Sequence, residues 1–445
     1  MPEREPEMGR TPGAELPALV ARPPGQHSRS FFVRHTHVAA PMGPPRGQAG
    51  IVYATALGSN VVDVDGNRYV DLAGGFGAAL VGHRHPSVLR ALELQSERLL
   101  HALGDVYPSD AKIGLCERLA KLHPDAGAQV ILGQSGSDAV SAALKTACLF
   151  TGKPGVLALG ASYHGLDYGP LAALSLRPSY RQPFAEQLNP HVVFAPYPEH
   201  GEESAASLAA AQVALSGGGV GAVLVEPVLG RGGVIVPPPG FLAELGALSR
   251  AHGALLIADE IWTGLGRAGA WLRSRAEGLV PDLFCLGKGL GGELPISALV
   301  GRREIMAAWR RDEEVVHTST HAGAPLACAT ALATLDVLGR EALPERAARL
   351  GAEFSADLVR ALAEVSDVRV RGSGLMLGID FGPRPGAAVT AVRALLERGF
   401  LATTGGGRRE VLVLTPPLTI AEPLLKAAVP ALVEAVRSAL GAETP

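Results

Sequence analysis

The sequence predicts an α/β protein with a large domain, built on a mainly parallel sheet flanked by helices, and a smaller α+β unit beside it. Two patterns carry the prediction. From about residue 105 to 330, short apolar runs alternate with longer helical stretches. Continuous apolar strands separated by helices are what a sheet covered on both faces requires. Beyond residue 330 the rhythm changes to long helical stretches broken by two strand-like runs. Size and composition allow both units. A chain of 445 residues, 47% hydrophobic and 19% charged, has material for two or three compact units and excludes disorder over most of its length.

In chain order, residues 1–50 are rich in Pro, Arg and Gly and weakly periodic, and a loose N-terminal arm is expected there. In IVYATALGSNVVDVDGNRYVDL, residues 51–72, β-type alternation surrounds Asp65-Gly66, which predicts a hairpin. Residues 51–104 are expected to form the N-terminal part of the smaller unit and a linker. Within 105–330 the strand candidates are VLALG, HVVFAPY, GAVLVEPV, GALLIADEI, LFCLGKG and SALVG. Ser204–Val225 carries no charge over a length that could span a bilayer. Gln212, Ser216 and the glycines at 217–219 interrupt it, so helix, loop and strand are expected and no membrane span. Residues 331–445, with VRVRG and VLVLTPP, form the C-terminal part of the smaller α+β unit.

Charge narrows the function. Lys+Arg is 40 against Asp+Glu 43, a net −3 without asymmetry, and nucleic-acid affinity rests on clustered cations. Cys116, Cys148, Cys285 and Cys328 are scattered without a CxxC pair, so neither a disulfide framework nor a zinc knuckle is expected, and no metal. The N-terminal MPEREPEMGR has acids and prolines where a secretory leader needs an apolar run, which makes a cytoplasmic setting the expectation.

Several motif fragments do not carry chemistry. Gly264-Leu265-Gly266-Arg267-Ala268-Gly269 fits GxGxxG, but Asp259, Glu260 and Trp262 stand between the strand and the glycines, where acids would repel a pyrophosphate. Gly287-Lys288-Gly289 lacks the hydroxyl residue and glycine spacing of a P-loop. Gly133–Ser137 misses the last glycine of a nucleophile elbow. The pairs His35/His37 and His83/His85 lie in loop-like segments without a third ligand, and surface histidines are the expectation.

Four other segments form a constellation. Ser135-Gly136-Ser137-Asp138 opens a helix whose first-turn amides lack partners, as at a phosphate site; an ordinary Ser/Asp cap would read the same way. Tyr163, in Ser162-Tyr163-His164-Gly165, follows a strand and could stack on a flat ring or simply pack under a loop. Asp259 ends the strand ALLIAD, where a protonated ring nitrogen would suit it; the alternative is a helix cap. Lys288 lies among glycines after another strand, and a lysine in apolar surroundings becomes nucleophilic toward carbonyls. Phosphate cradle, aromatic, carboxylate and lysine together are what pyridoxal 5′-phosphate requires.

At these residues the chain resembles the class III pyridoxal-phosphate-dependent aminotransferases of fold type I. The resemblance runs from about residue 48 to 440 through DVDGNRYVDLAGGFG, SGSDAV, LVEPVLGRGGVIVPPPGFL, LLIADEIWTGLGRAG, PDLFCLGKGLGGELPISA, HTSTHAGAPLACA and VRGSGLMLG. It implies a smaller domain drawn from both chain ends and a large cofactor domain over 105–330. It also implies an internal aldimine on Lys288, which then shuttles the Cα proton, and Asp259 against the pyridine nitrogen. Ser135, Gly136 and Ser137 would take the phosphate, Tyr163 and Ile261 the two ring faces, and Thr320 the phosphate of a neighbouring subunit. A homodimer with active sites at the interface follows, acting on a small-molecule amino donor and a carbonyl acceptor.

Three departures bear on substrate. Relatives that use 2-oxoglutarate commonly carry a Glu after the Glu-Pro pair and an Arg near the C-terminus; here those positions are Arg231 and Val413. Arg231 could clamp a carboxylate or stand solvated in its loop. Trp262 replaces a Gln, and with Phe76 it suggests a narrow or apolar substrate wall; core packing explains a tryptophan equally well. Glu293 replaces a glycine near the lysine, without a sequence-level explanation. The expected function is therefore an aminotransferase. A racemase, epimerase or aminomutase of the same family is the alternative, and a catalytically retired cofactor-binding protein the rival of another class.

Overall fold

The computed structural model describes residues 13–41, 50–310 and 314–441. An antiparallel meander comes first: β1 (Tyr53–Leu57), β2 (Asn60–Asp63) and β3 (Arg68–Asp71). Asp65-Gly66 lies in the β2–β3 turn, where Asp63 Oδ1 accepts the backbone N–H groups of Asp65 and Asn67, at 3.0 and 2.9 Å.

The central sheet holds seven strands: β4 (Gln129–Gly133), β5 (Gly155–Leu159), β6 (Val192–Ala195), β7 (Val220–Val225), β8 (Leu255–Asp259), β9 (Leu283–Leu286) and β10 (Ser297–Gly301). Their order is β4-β10-β9-β8-β7-β5-β6. Pairs among β6, β5, β7, β8 and β9 are parallel, and β10 runs antiparallel to both of its neighbours. Every residue of β5, β7, β8 and β9 is buried, which explains why these strands are continuously apolar rather than alternating. One core cluster packs the helix Gly136–Thr151 against one face, and another covers the opposite face with Phe241, Leu242 and Leu245 of the helix Phe241–Ala251.

The C-terminal strands are β11 (Arg369–Ser373), β12 (Met376–Asp380), β13 (Phe400–Leu401), β14 (Thr403–Gly405) and β15 (Val411–Leu414). Four of them make a sheet in the order β11-β12-β15-β14, while β13 leaves it to pair in parallel with β3, through Phe400↔Val70. Both ends of the chain thus meet in one sheet.

The chain from Ser204 to Val225 is the end of the helix Gly201–Ser216, a glycine turn and β7. Among the described residues no helix is long and apolar enough to cross a membrane. Three features differ from the sequence reading. The N-terminal segment holds a helix, Gln26–Val38, and is tied down at Ala18, which pairs with Arg68, and at Val20 and Ala21, whose N–H groups donate to Asn67 Oδ1. These partners lie over 40 residues away, beyond what local periodicity reports; the parts of the arm at 1–12 and 42–49 lie outside the described residues. His35 and His37 are exposed, but on that helix rather than a loop. The second histidine pair corrects the surface expectation: His83 is buried between Asp71 and Glu293, and His85 precedes the helix Pro86–Ser96.

Candidate active site

The parallel strands deliver the chemistry at their carboxyl ends, where open α/β sheets bind ligands. Asp259 is the last residue of β8, Lys288 follows β9 by two residues, Glu226 directly follows β7, and Tyr163 and His164 lie in the loop after β5. Gly136 begins the helix Gly136–Thr151, whose N-cap is Ser135. A cavity of about 430 Å³ gathers them. Of the residues singled out from the sequence, Ser135, Gly136, Ser137, Tyr163, Asp259, Ile261 and Lys288 line it, together with Phe76, Arg231 and Trp262. Thr320 does not. It is exposed, on the segment whose neighbours Thr318 and Ser319 line a separate cavity of about 520 Å³ beside Lys112 and Trp309.

Two side chains that the sequence did not single out complete the site. His164 Nδ1 lies 2.8 Å from Asp259 Oδ2 and donates to it, while Asp259 Oδ1 accepts the Ile261 N–H at 3.1 Å. Glu226 is buried, and its two oxygens accept the N–H groups of Tyr163, at 2.8 Å, and Gly230, at 2.9 Å. Burial raises its pKa, the nearby Asp259 adds to the rise, and His164 and the two amides oppose it. The only sequence signals were adjacency: His164 follows the aromatic, and Glu226 sits in the Glu-Pro pair that served as a landmark.

Burial lowers the Lys288 ammonium to about 8, with Arg231 acting in the same direction and Asp259 and Glu226 resisting. Its Nζ lies 4.8 Å from the centre of the Trp262 ring. Trp262 is itself wedged between glycines. A Cβ on Gly77 would lie 2.5 Å from Trp262 Nε1, and one on Gly230 would lie 2.4 Å from Cε3. The Arg231 guanidinium covers the Tyr163 ring at 4.9 Å. Val413, where a cation was looked for, is fully buried in a cluster with Trp262, Val228 and Met376.

The residues present fit a flat, phosphorylated aldehyde. Ser135 Oγ accepts the Asp138 N–H and Ser137 Oγ accepts the Leu166 N–H, so each hydroxyl still has its own proton to donate to an anion. They stand at a helix N-terminus, which favours negative charge. A Cβ on Gly136 would meet Ile261 Cδ1 at 2.9 Å, and one on Gly165 would meet Ser137 Oγ at 2.0 Å, so side chains there would fill the cradle. Among the described residues, His164 Nε2 and Trp262 Nε1 are buried without hydrogen-bond partners.

Comparisons with known proteins agree with this geometry. The family described as aminotransferase class III matches residues 42–436. The acetylornithine aminotransferase of Methanopyrus kandleri is 38% identical over 86% of this chain and 93% of its own length. The alanine/serine racemase of Pyrococcus horikoshii is 30% identical over 96% of this chain and 94% of its own. Among solved structures, the ornithine aminotransferase of Toxoplasma gondii, seen with partial occupancy of pyridoxal phosphate, aligns at a TM-score of 0.84 and 30% identity, covering 93% of this chain and 95% of that one.

Proposed function

The chain belongs to the class III aminotransferases and is a pyridoxal 5′-phosphate-dependent transaminase of fold type I, and we propose that Lys288 and Asp259 carry its chemistry. The observation behind this assignment is their convergence, from the ends of adjacent parallel strands, on one cavity with a helix N-terminus. An amino group moves from a small-molecule donor to a carbonyl acceptor. Bound pyridoxal phosphate supplies an electron sink for the pair left when Cα loses its proton.

Each residue then has a task. Lys288 Nζ is the amine offered to the cofactor carbonyl and the base that holds the Cα proton between removal and return. A pKa near 8 leaves about a tenth of this amine neutral at pH 7, against well under a thousandth for an ordinary lysine. Cofactor capture by the cofactor-free protein should therefore accelerate with pH and level off above about 8 rather than 10.5, as stopped-flow absorbance would show. Asp259 presents its carboxylate to the ring nitrogen, and His164 holds that carboxylate in place. Ser135, Gly136 and Ser137 take the phosphate, Tyr163 and Ile261 the ring faces, and Phe76, Arg231 and Trp262 the substrate side.

The protein is further read as a cytoplasmic homodimer with active sites at the interface. Val106, Tyr107 and Val315 are exposed apolar residues at or near the larger cavity, as a subunit contact would use them. Thr320, outside its own chain's site, would then serve the neighbouring one. All four cysteines are free, which suits a reducing compartment.

A half-reaction in heavy water tests the assignment. Cofactor-loaded protein mixed with amino donors and no acceptor should release one carbonyl product per cofactor. In Lys288→Ala this should fall roughly 10³-fold or more while the fold persists by circular dichroism. Catalytic Cα deuteration without carbonyl release would indicate isomerase chemistry instead.

A further inference from the structure

Arg231 sits at the tip of a turn that the protein holds rigidly. The turn is closed by backbone pairing of Leu229 with Ile235. Glu226 accepts the Gly230 N–H just before it, and the Arg231 carbonyl accepts the Gly406 N–H at 2.9 Å. Gly232 must pass within 2.6 Å of the Ala161 carbonyl, measured from where its Cβ would be. The guanidinium then projects into the cavity over Tyr163. Its five donors reach no carboxylate and no carbonyl among the described residues.

Several other half-buried arginines are paired, and Arg181, which like Arg231 lies over an aromatic ring, that of Phe194, does not line this cavity. Arg371 pairs with Glu199 and Asp380, and Arg177 and Arg346 donate to pairs of carbonyls. Among the described residues, Arg231 is the arginine that keeps its hydrogen-bonding capacity free while facing the ligand cavity. A planar guanidinium with free donors and a fixed base is suited to two-point recognition of a carboxylate. The buried acids of the cavity do not compete for it: Asp259 is engaged by His164 and an amide, and Glu226 by two amides. Asp167, exposed at the cavity lining, would repel a second substrate carboxylate. The remaining substrate wall is apolar, with Phe76, Leu166 and Trp262, and behind Trp262 lies Val413. With Lys288 engaged by the cofactor, Arg231 is the Lys or Arg left for substrate among the described residues lining the cavity.

Resting on the transaminase reading, we propose that Arg231 forms a carboxylate subsite selecting amino acids and 2-oxo acids with a single carboxylate over diacids. A second carboxylate would be desolvated against the Phe76–Trp262 wall without a partner.

The test uses cofactor-loaded protein and unreactive probes, so binding is read without turnover. By titration calorimetry, 4-methylpentanoate should bind roughly ten- to a hundredfold more tightly than glutarate or neutral 4-methylpentanamide. Arg231→Met should erase that preference, leaving all three near the amide's affinity, and Arg231→Lys should restore part of it. Equal binding of the three probes by the native protein would overturn the proposal. So would an Arg231→Met variant that keeps the preference, or one that loses cofactor affinity while binding 4-methylpentanoate normally. Failure of the transaminase reading shows separately, as absence of carbonyl product from any amino donor in the half-reaction.

Discussion

Two buried aspartates stand at opposite ends of neighbouring strands of the central sheet, Asp259 at the end of β8 and Asp282 just before β9. Both are 4% exposed. Asp282 is closed off: one oxygen pairs with Arg302 and the other accepts the Leu256 N–H at 2.8 Å. Asp259 is held by an imidazole whose far nitrogen has no partner among the described residues, and it faces a cavity. A permanent cation makes a finished structural contact. Asp259 is also held at both oxygens, by His164 and the Ile261 N–H, but its holder is an imidazole rather than a permanent cation, and each oxygen keeps a lone pair at the cavity. The same residue type, at the same depth, is a fastening at one end of the sheet and a reagent at the other.

Swapping each carboxylate for its amide separates the two. Asp259→Asn should keep the fold and the cofactor but lower turnover by roughly 10²–10³-fold, because an amide cannot stabilise positive charge on a ring nitrogen. Asp282→Asn should do the reverse. Leaving Arg302 without its partner should cost about 1–3 kcal/mol of stability, while turnover per folded molecule stays unchanged. Steady-state kinetics and scanning calorimetry on both variants decide it. An Asp282→Asn enzyme as impaired as Asp259→Asn would erase the distinction.

His164 is the next point of attack. His164→Gln retains one donor for Asp259 but not the ring that fixes its angle, so a loss of roughly tenfold in turnover is expected, with little change in KM. A KM-only effect would place His164 in substrate binding rather than in holding Asp259.

What the sequence disclosed follows the same division. The strands β5 and β7 to β10 were readable because full burial makes them continuous apolar runs, and the edge strand β6 because VVFA is apolar throughout although Val193 and Phe194 are exposed. β4 escaped notice because QVILG offers only a three-residue apolar run opened by Gln129. Asp259 and Lys288 were readable because strand ends and flanking glycines are local signals. His164 was not, since its partner is 95 residues away. Glu293 had no explanation in the sequence because its partner, His83, lies 210 residues away. Separations of that size are created by folding and leave no local pattern.

Asp71 is the intermediate case, and it gives the smallest effect. Like Asp259 it is held by a histidine, His83, at 2.9 Å. Unlike His164, His83 has both nitrogens occupied, because its Nδ1 meets Glu293 Oε1 at 2.5 Å. The bridge joins the loop of Lys288 to the loop of Phe76, whose Ala73 and Gly74 N–H groups donate to Asp71. It also offsets the backbone strain of Glu293, which has φ of +79°. Burial alone would lower the His83 pKa, but the hydrogen bonds and charges of Asp71 and Glu293 outweigh it and raise it to about 9. A pKa raised on folding means the imidazolium stabilises the protein fully below about 6.5, and that contribution is lost as pH rises through 9. Because Glu293 is partly exposed and screened, about 1 kcal/mol is expected. The urea midpoint of the cofactor-loaded protein should fall between pH 7 and 10, and His83→Gln should flatten that fall. Equal slopes in the two proteins would mean that the bridge contributes through its shape alone, and that a histidine with both nitrogens engaged fastens an aspartate much as an arginine does.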